Sequence, residues 1–266
     1  ITNYLAGRKD KIEHLDNKTV HSNSYTEPNI QNNIGTYWYR KDFNILPHEG
    51  LPIELARGCI FKCKFCSFPM NGKTKGEWVK KPDTLLDEFK RNYEYHGVTN
   101  YIFSDDTYND SEQKVKRLHD DVFSKLGFKI NFTTYIRLDL MMRFPDTIDY
   151  LVESGLQSAL FGIETINPTS GKIIGKGVDP LLQFDFVGDI KKTHWKNIMT
   201  HSGIIVGLPA ERPDEFELLE EFLFSEKNII DQVDVSALGI YPVQDKTAGH
   251  RSWHSTFDLE YEKYGY

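Results

Sequence analysis

Cys59, Cys63 and Cys66 are the only cysteines of the chain, and they share one short run, Arg57-Gly-Cys-Ile-Phe-Lys-Cys-Lys-Phe-Cys-Ser-Phe-Pro69. Thiolates select soft centres such as iron–sulfur clusters, Zn(II) or Cu(I). A four-iron cluster normally takes four cysteines, so the spacing C-x3-C-x2-C would leave one iron without a protein ligand and open to chemistry. Structural cysteines pack as small hydrophobes dispersed through a core, whereas these three crowd a Lys-rich loop flanked by glycine. A disulfide framework takes an even count in a small secreted chain, and neither condition holds. Zinc bound by three Cys and one His is the rival reading, but the nearest histidines, His48 and His96, lie outside the loop.

The elements that must carry this loop alternate from position 52 onward as short apolar runs and amphipathic stretches, the pattern of repeated βα units on a parallel sheet. The predicted strands are 53–56, leading straight into the cysteine loop, then 100–103, 128–137, 158–163, 198–208 and 233–240. Between them the helical spacing of apolar residues predicts helices over 82–95, from 111 to a stop at Gly127, over 140–153, from after Asp179 to about 192, and over 213–225. Six such units, joined by right-handed crossovers, curl into a barrel or part of one. The expected fold is therefore α/β: a partial (β/α)6 barrel of parallel strands with outer helices. An irregular N-terminal arm over 1–50 precedes it, with Trp38, Tyr39 and Phe43 as anchors. The core spans 51–243, and an extension that looks incomplete spans 244–266. On such a scaffold functional groups gather at the C-terminal ends of the strands.

With Phe65 before its last cysteine, the C-x3-C-x-aromatic-C run resembles the signature of the radical S-adenosylmethionine (SAM) superfamily. Arg57-Gly58, Phe161-Gly-Ile-Glu164, the stretch Gly171 to Gly177 and Gly207-Leu-Pro209 resemble the branch that often carries an N-terminal cobalamin-binding domain. The resemblance implies that the three cysteines hold a 4Fe-4S cluster whose fourth iron is chelated by SAM. An electron from the cluster would then cleave SAM to methionine and a 5′-deoxyadenosyl radical. It further implies SAM contacts. The amino group would meet Ser104, Asp105 and Asp106, although the family's glycines are absent there, and these acids could equally cap the following helix. Arg137 would meet the carboxylate, with an ion pair to Asp139 or Glu164 as the alternative; Glu164 would meet the ribose hydroxyls or the methionine part. Phe65, Gly203 and Ile205 would meet the adenine. Ala210 stands where the family usually has glycine.

The substrate, a small molecule or a peptide, is not readable from these residues. The run from Tyr241 to His254 is polar and aromatic and follows the sixth strand, which makes Tyr241, His250, Trp253 and His254 the substrate-side candidates. Residues 1–50 are too short for a cobalamin fold. Hydrogen abstraction by the 5′-deoxyadenosyl radical is thus the leading expectation, and cobalamin-dependent methyl transfer, with the cobalamin domain outside this chain, is the runner-up. A non-catalytic iron–sulfur or zinc protein is the alternative of a different class. An electron donor such as flavodoxin or ferredoxin is the implied partner.

With 39% hydrophobic and 13% aromatic residues in 266, the chain can bury a core. A net charge of −7 without a Lys/Arg block argues against a broad nucleic-acid footprint. There is no apolar run of about 18 residues and no signal-like start. Oxidisable clustered thiolates suit a reducing compartment, so the expected location is the cytoplasm.

Overall fold

The computed structural model describes residues 44–68, 72, 78–226, 228–241 and 254–266. Six strands form one parallel sheet: β1 (Gly50–Ile53), β4 (Asn100–Phe103), β5 (Asn131–Tyr135), β6 (Leu156–Glu164), β7 (Met199–Val206) and β8 (Gln232–Ala237), in that spatial order. Between β1 and β4, the two-residue strands β2 (Ala56–Arg57) and β3 (Trp78–Val79) pair antiparallel as a separate ribbon. The helices are α1 (Pro82–His96), α2 (Glu112–Asp121), α3 (Leu138–Arg143), α4 (Asp146–Ser154), α5 (Pro168–Ile174), α6 (Pro180–Thr193), α7 (Glu215–Leu223) and α8 (Thr256–Glu260). The α/β partial barrel expected from the pattern of units is the fold observed.

Side chains alternate along each strand, and this alternation divides the sheet into two unlike faces. Tyr101 and Phe103 of β4, Phe132 of β5, Ala159, Phe161 and Ile163 of β6 and Ile204 of β7 are buried in the main apolar core. There Phe103 stacks on Phe132 with centroids 4.3 Å apart, and Phe89 of α1 meets Tyr101 edge-on at 4.8 Å. The opposite face carries Tyr135, Leu160, Gly162, Glu164, His201, Gly203 and Asp234, and it is open enough to line a cavity.

Several boundaries differ from the sequence expectation. The first strand ends at Ile53, because the chain turns at Glu54 to start the small ribbon. The helix expected over 140–153 is two helices, since Pro145 cannot donate to the preceding turn and restricts Phe144 before it. The helix expected from 111 begins at an N-cap, where the Ser111 side chain accepts from the Lys114 amide, and gives way after Asp121 to a 3-10 turn over Phe123–Lys125. The short helix α5 had no counterpart. Its signals were present: Asn167 caps the Thr169 and Ser170 amides, Pro168 opens the first turn, and Gly175 closes it at φ 91°. Of the arm expected over 1–50, residues 1–43, including Trp38, Tyr39 and Phe43, lie outside the described residues, and Gly50 already belongs to β1.

A second, smaller apolar cluster holds the top of the barrel. Ile174, Leu208 and Phe257 are buried there, with Phe65, Ile205, Leu238, Ile240 and Tyr264 packed against them. Phe257 belongs to α8, which a reciprocal capping box starts: Ser255 accepts from the Asp258 amide and Asp258 accepts from the Ser255 amide. The C-terminal segment is thereby seated against the cysteine loop rather than trailing away from it.

Candidate active site

The cysteine loop leaves β2 through Gly58, whose φ of 80° is the left-handed conformation glycine adopts without cost. Cys59 is buried, with its Sγ 3.2 Å from Thr107 Oγ1 and accepting from the Phe61 amide at 3.4 Å. Burial pushes the Cys59 thiol pKa up, and those two hydrogen bonds pull against it. Arg137 Nη1 donates to Cys63 Sγ at 3.5 Å, with its guanidinium carbon 3.6 Å from the Phe61 ring centre. The loop is gripped midway at Lys64. Its N–H donates to the Ile174 carbonyl at 3.0 Å, and its carbonyl accepts from the Phe257 amide at 3.1 Å.

All three cysteines line one cavity of about 350 Å³. Phe61, Phe65 and Leu160 give it apolar walls. Asp106, Arg137, Glu164, Lys176 and the pair His201–Asp234 supply charge of both signs. Among the described residues, no three His, Cys, Asp or Glu side chains are gathered as a single-ion site. The donor set fits a 4Fe-4S cluster chemically, because three thiol sulfurs border a space that also holds cations and carboxylates able to bind an amino-acid headgroup.

The structure brings some predicted residues to this cavity and not others. Asp106, Glu164, Gly203 and Phe65 are on its wall. Asp105 does not line the cavity. It is 1% exposed and accepts from the Leu55 and Ala56 amides at 2.9 and 3.0 Å, so it anchors the chain entering the cysteine loop. Burial raises its pKa to about 6, with Lys114 the main opposing influence. Ser104 is off the wall too, donating to the Ile53 carbonyl at 3.2 Å. Arg137 reaches the wall already paired to Asp139 at 2.7 Å, the alternative partner considered for it. Ile205 packs in the small apolar cluster rather than on the wall. On the substrate side, Tyr241 is 75% exposed, and its amide donates to Asp258 at 2.8 Å. His254 stands 4.0 Å from Asp258. Neither lines the cavity, and His250 and Trp253 lie outside the described residues.

Four polar wall residues, Lys176, His201, Asp234 and Thr107, went unread. Lys176 follows α5 with its Nζ 3.1 Å from Glu164 and 3.0 Å from the Gly162 carbonyl. Glu164 itself sits at φ 72°, unusual for a residue with a Cβ. His201 of β7 lies 2.8 Å from Asp234 of β8 across the parallel ladder. Thr107 is the fourth. For His201 a signal existed, because alternation puts it on the same strand face as Gly203, two positions on.

The sequence matches the family model of the Radical SAM superfamily over residues 53–223. It is 28% identical over 212 residues to an uncharacterized methyltransferase of Pyrococcus horikoshii, an alignment covering 77% of this chain and 42% of that protein. It is 25% identical over 175 residues to the hopanoid C-2 methylase of Rhodopseudomonas palustris, covering 64% and 32%. The chain thus spans less than half the length of these curated relatives. Among solved structures, the cobalamin-dependent S-adenosylmethionine radical enzyme OxsB with aqua-cobalamin bound superposes with a TM-score of 0.55 at 17% identity, covering 80% of this chain and 30% of that one. At that identity the likeness is one of fold.

Proposed function

Because the chain belongs to the radical SAM superfamily, whose members bind a 4Fe-4S cluster and SAM, we propose that Cys59, Cys63 and Cys66 ligate such a cluster and that the adjoining cavity takes SAM. One observation carries this reading: three thiols from a single loop open on the same cavity as Lys176, Arg137, Glu164 and Asp106. When bound, these cofactors supply one-electron cleavage of SAM and abstraction of a hydrogen atom from the substrate. The chain's own residues bind and orient. Lys176 and Arg137 are the cations for the SAM carboxylate, Asp106 is the acceptor for its amino group, Glu164 accepts from the ribose hydroxyls, and Phe65 offers an apolar edge to the adenine. The apolar walls limit water at the reacting atoms, which such chemistry requires. Reducing equivalents would come from a small electron-transfer protein such as flavodoxin or ferredoxin.

A second reading is methyl transfer assisted by cobalamin. The names of the two curated relatives, a methyltransferase and a methylase, favour it. The chain lines up with only part of each relative, so a cobalamin domain would be sought in the full-length protein.

The test is anaerobic reconstitution of the protein with iron and sulfide, followed by reduction in the presence of SAM. The wild type should release 5′-deoxyadenosine, and Cys59→Ala, Cys63→Ala and Cys66→Ala should each lose both the cluster's EPR signal and that product. A wild type that binds iron yet neither binds nor cleaves SAM would leave a non-catalytic iron–sulfur protein as the better account.

A further inference from the structure

The loop after β4 reaches under the cysteine loop and offers Cys59 a hydroxyl. Thr107 is 5% exposed, and its Oγ1 is 3.2 Å from Cys59 Sγ and 2.7 Å from the Asp106 carbonyl oxygen. Its backbone is held from below by a buried ion pair: Lys114, 1% exposed, donates to the Thr107 carbonyl at 3.0 Å and pairs with Asp110 at 2.5 Å. The next two residues are fixed as well. The Tyr108 amide donates to the Tyr135 carbonyl at 2.9 Å, and the Asn109 side chain bonds the Arg137 backbone in both directions, at 2.9 and 2.8 Å. A buried threonine this firmly tied has little freedom to place its hydroxyl elsewhere.

A hydroxyl carries one proton and can donate it to one of these two acceptors at a time. A thiol at position 59 brings its own proton, so Thr107 is then free to donate to the Asp106 carbonyl. A cysteine that ligates iron is a thiolate and brings none, so the Thr107 proton is the one available between oxygen and sulfur. We propose that Thr107 is a positioning and tuning residue for the cluster: in the loaded protein its hydroxyl donates to the sulfur of Cys59 and raises the cluster's reduction potential. This rests on the proposed function. A donor aimed at a ligand sulfur draws electron density from it, which favours the more negative, reduced cluster. The electron comes from a low-potential reductant; no covalent bond forms or breaks at Thr107.

Thr107→Val keeps the shape and deletes the donor, whereas Thr107→Ser keeps the donor and deletes a methyl. Each reconstituted holoprotein would be titrated with dithionite or titanium(III) citrate without SAM, following the EPR signal of the reduced cluster. Thr107→Val should hold wild-type iron and sulfide and show a more negative midpoint potential, with Thr107→Ser restoring the wild-type value. An unmoved potential in Thr107→Val, or an equal shift in Thr107→Ser, overturns the inference. Should Thr107→Val fail to load, Thr107→Ala decides in the same titration: a more negative midpoint supports the inference, and an unmoved one overturns it. A wild type that takes up no four-iron cluster sinks the proposed function as a whole, an outcome distinct from a loaded wild type whose potential ignores Thr107.

Discussion

Asp105 and Asp106 are neighbours of one type with opposite destinations, and alternation accounts for it. Asp105 continues the buried series Tyr101, Phe103 on the helix-facing side of β4, while Asp106 turns toward the cavity. Reading the two acids as a pair obscured this. A titration follows from the burial of Asp105. Its pKa is about 6 in the fold against an ordinary 3.8, so between those values the folded chain holds a proton that the unfolded chain releases. The stability this contributes is complete below the unfolded value and is lost as pH rises through 6, by at most about 1.4 kcal/mol per pH unit. Asp105→Asn cannot titrate; urea unfolding of the apoprotein from pH 4 to 7 should show the wild type losing stability relative to the variant. Glu164 poses a different residue-scale test. At φ 72° glycine fits without strain and alanine does not, so Glu164→Gly should be more stable than Glu164→Ala by about 1 kcal/mol in the same assay. The cysteines were legible because their chemistry lies in their sequence spacing. Lys176 and Asp234 join the cavity only through neighbours supplied by a loop and by strand register, which a local reading does not reach, whereas strand alternation alone sets His201 on the face of Gly203.

At the scale of elements, the repeating strand and helix units were legible because apolar period and capping residues agree. The failures cluster where elements are short. Helix α5 has seven residues, too few for a periodicity to stand out, and its caps alone announce it. The C-terminal segment was harder still: nothing local in Ser255 to Tyr266 shows that Phe257 inserts beneath the cysteine loop. That placement makes α8 and its flanks a clip, with Phe257 filling the small apolar cluster and Tyr266 donating to the Gly207 carbonyl at 2.6 Å. Phe257→Ala should therefore cost about 3–5 kcal/mol of apoprotein stability in denaturant unfolding, and the reconstituted variant should release iron to a chelator faster than the wild type. Iron release at the wild-type rate, despite lowered stability, would mean that the clip supports the barrel but not the loop.

For the whole molecule, the parallel sheet separates two tasks by its two faces: one carries the core and the other carries the cavity. Ligand binding and folding are then linked through the loop that joins them. A protein that binds SAM only when folded and cluster-loaded gains about 2.7 kcal/mol at a SAM concentration of 100 times Kd. Thermal unfolding of loaded wild type should shift upward with SAM accordingly, while Cys59→Ala should not respond. Among the described residues no helix is long and apolar enough to cross a membrane.

The grip on Lys64 also imposes an order of events in time. Cys59, Cys63 and Cys66 precede in the chain both residues that hold their loop, Ile174 far downstream and Phe257 farther still. Long-range closures of this kind come late in folding. Until both have been made the loop lacks its two backbone clamps, and thiols on an unclamped loop are open to oxidation. A cluster seated on these thiols would then meet a shaped loop only once Phe257 is in place.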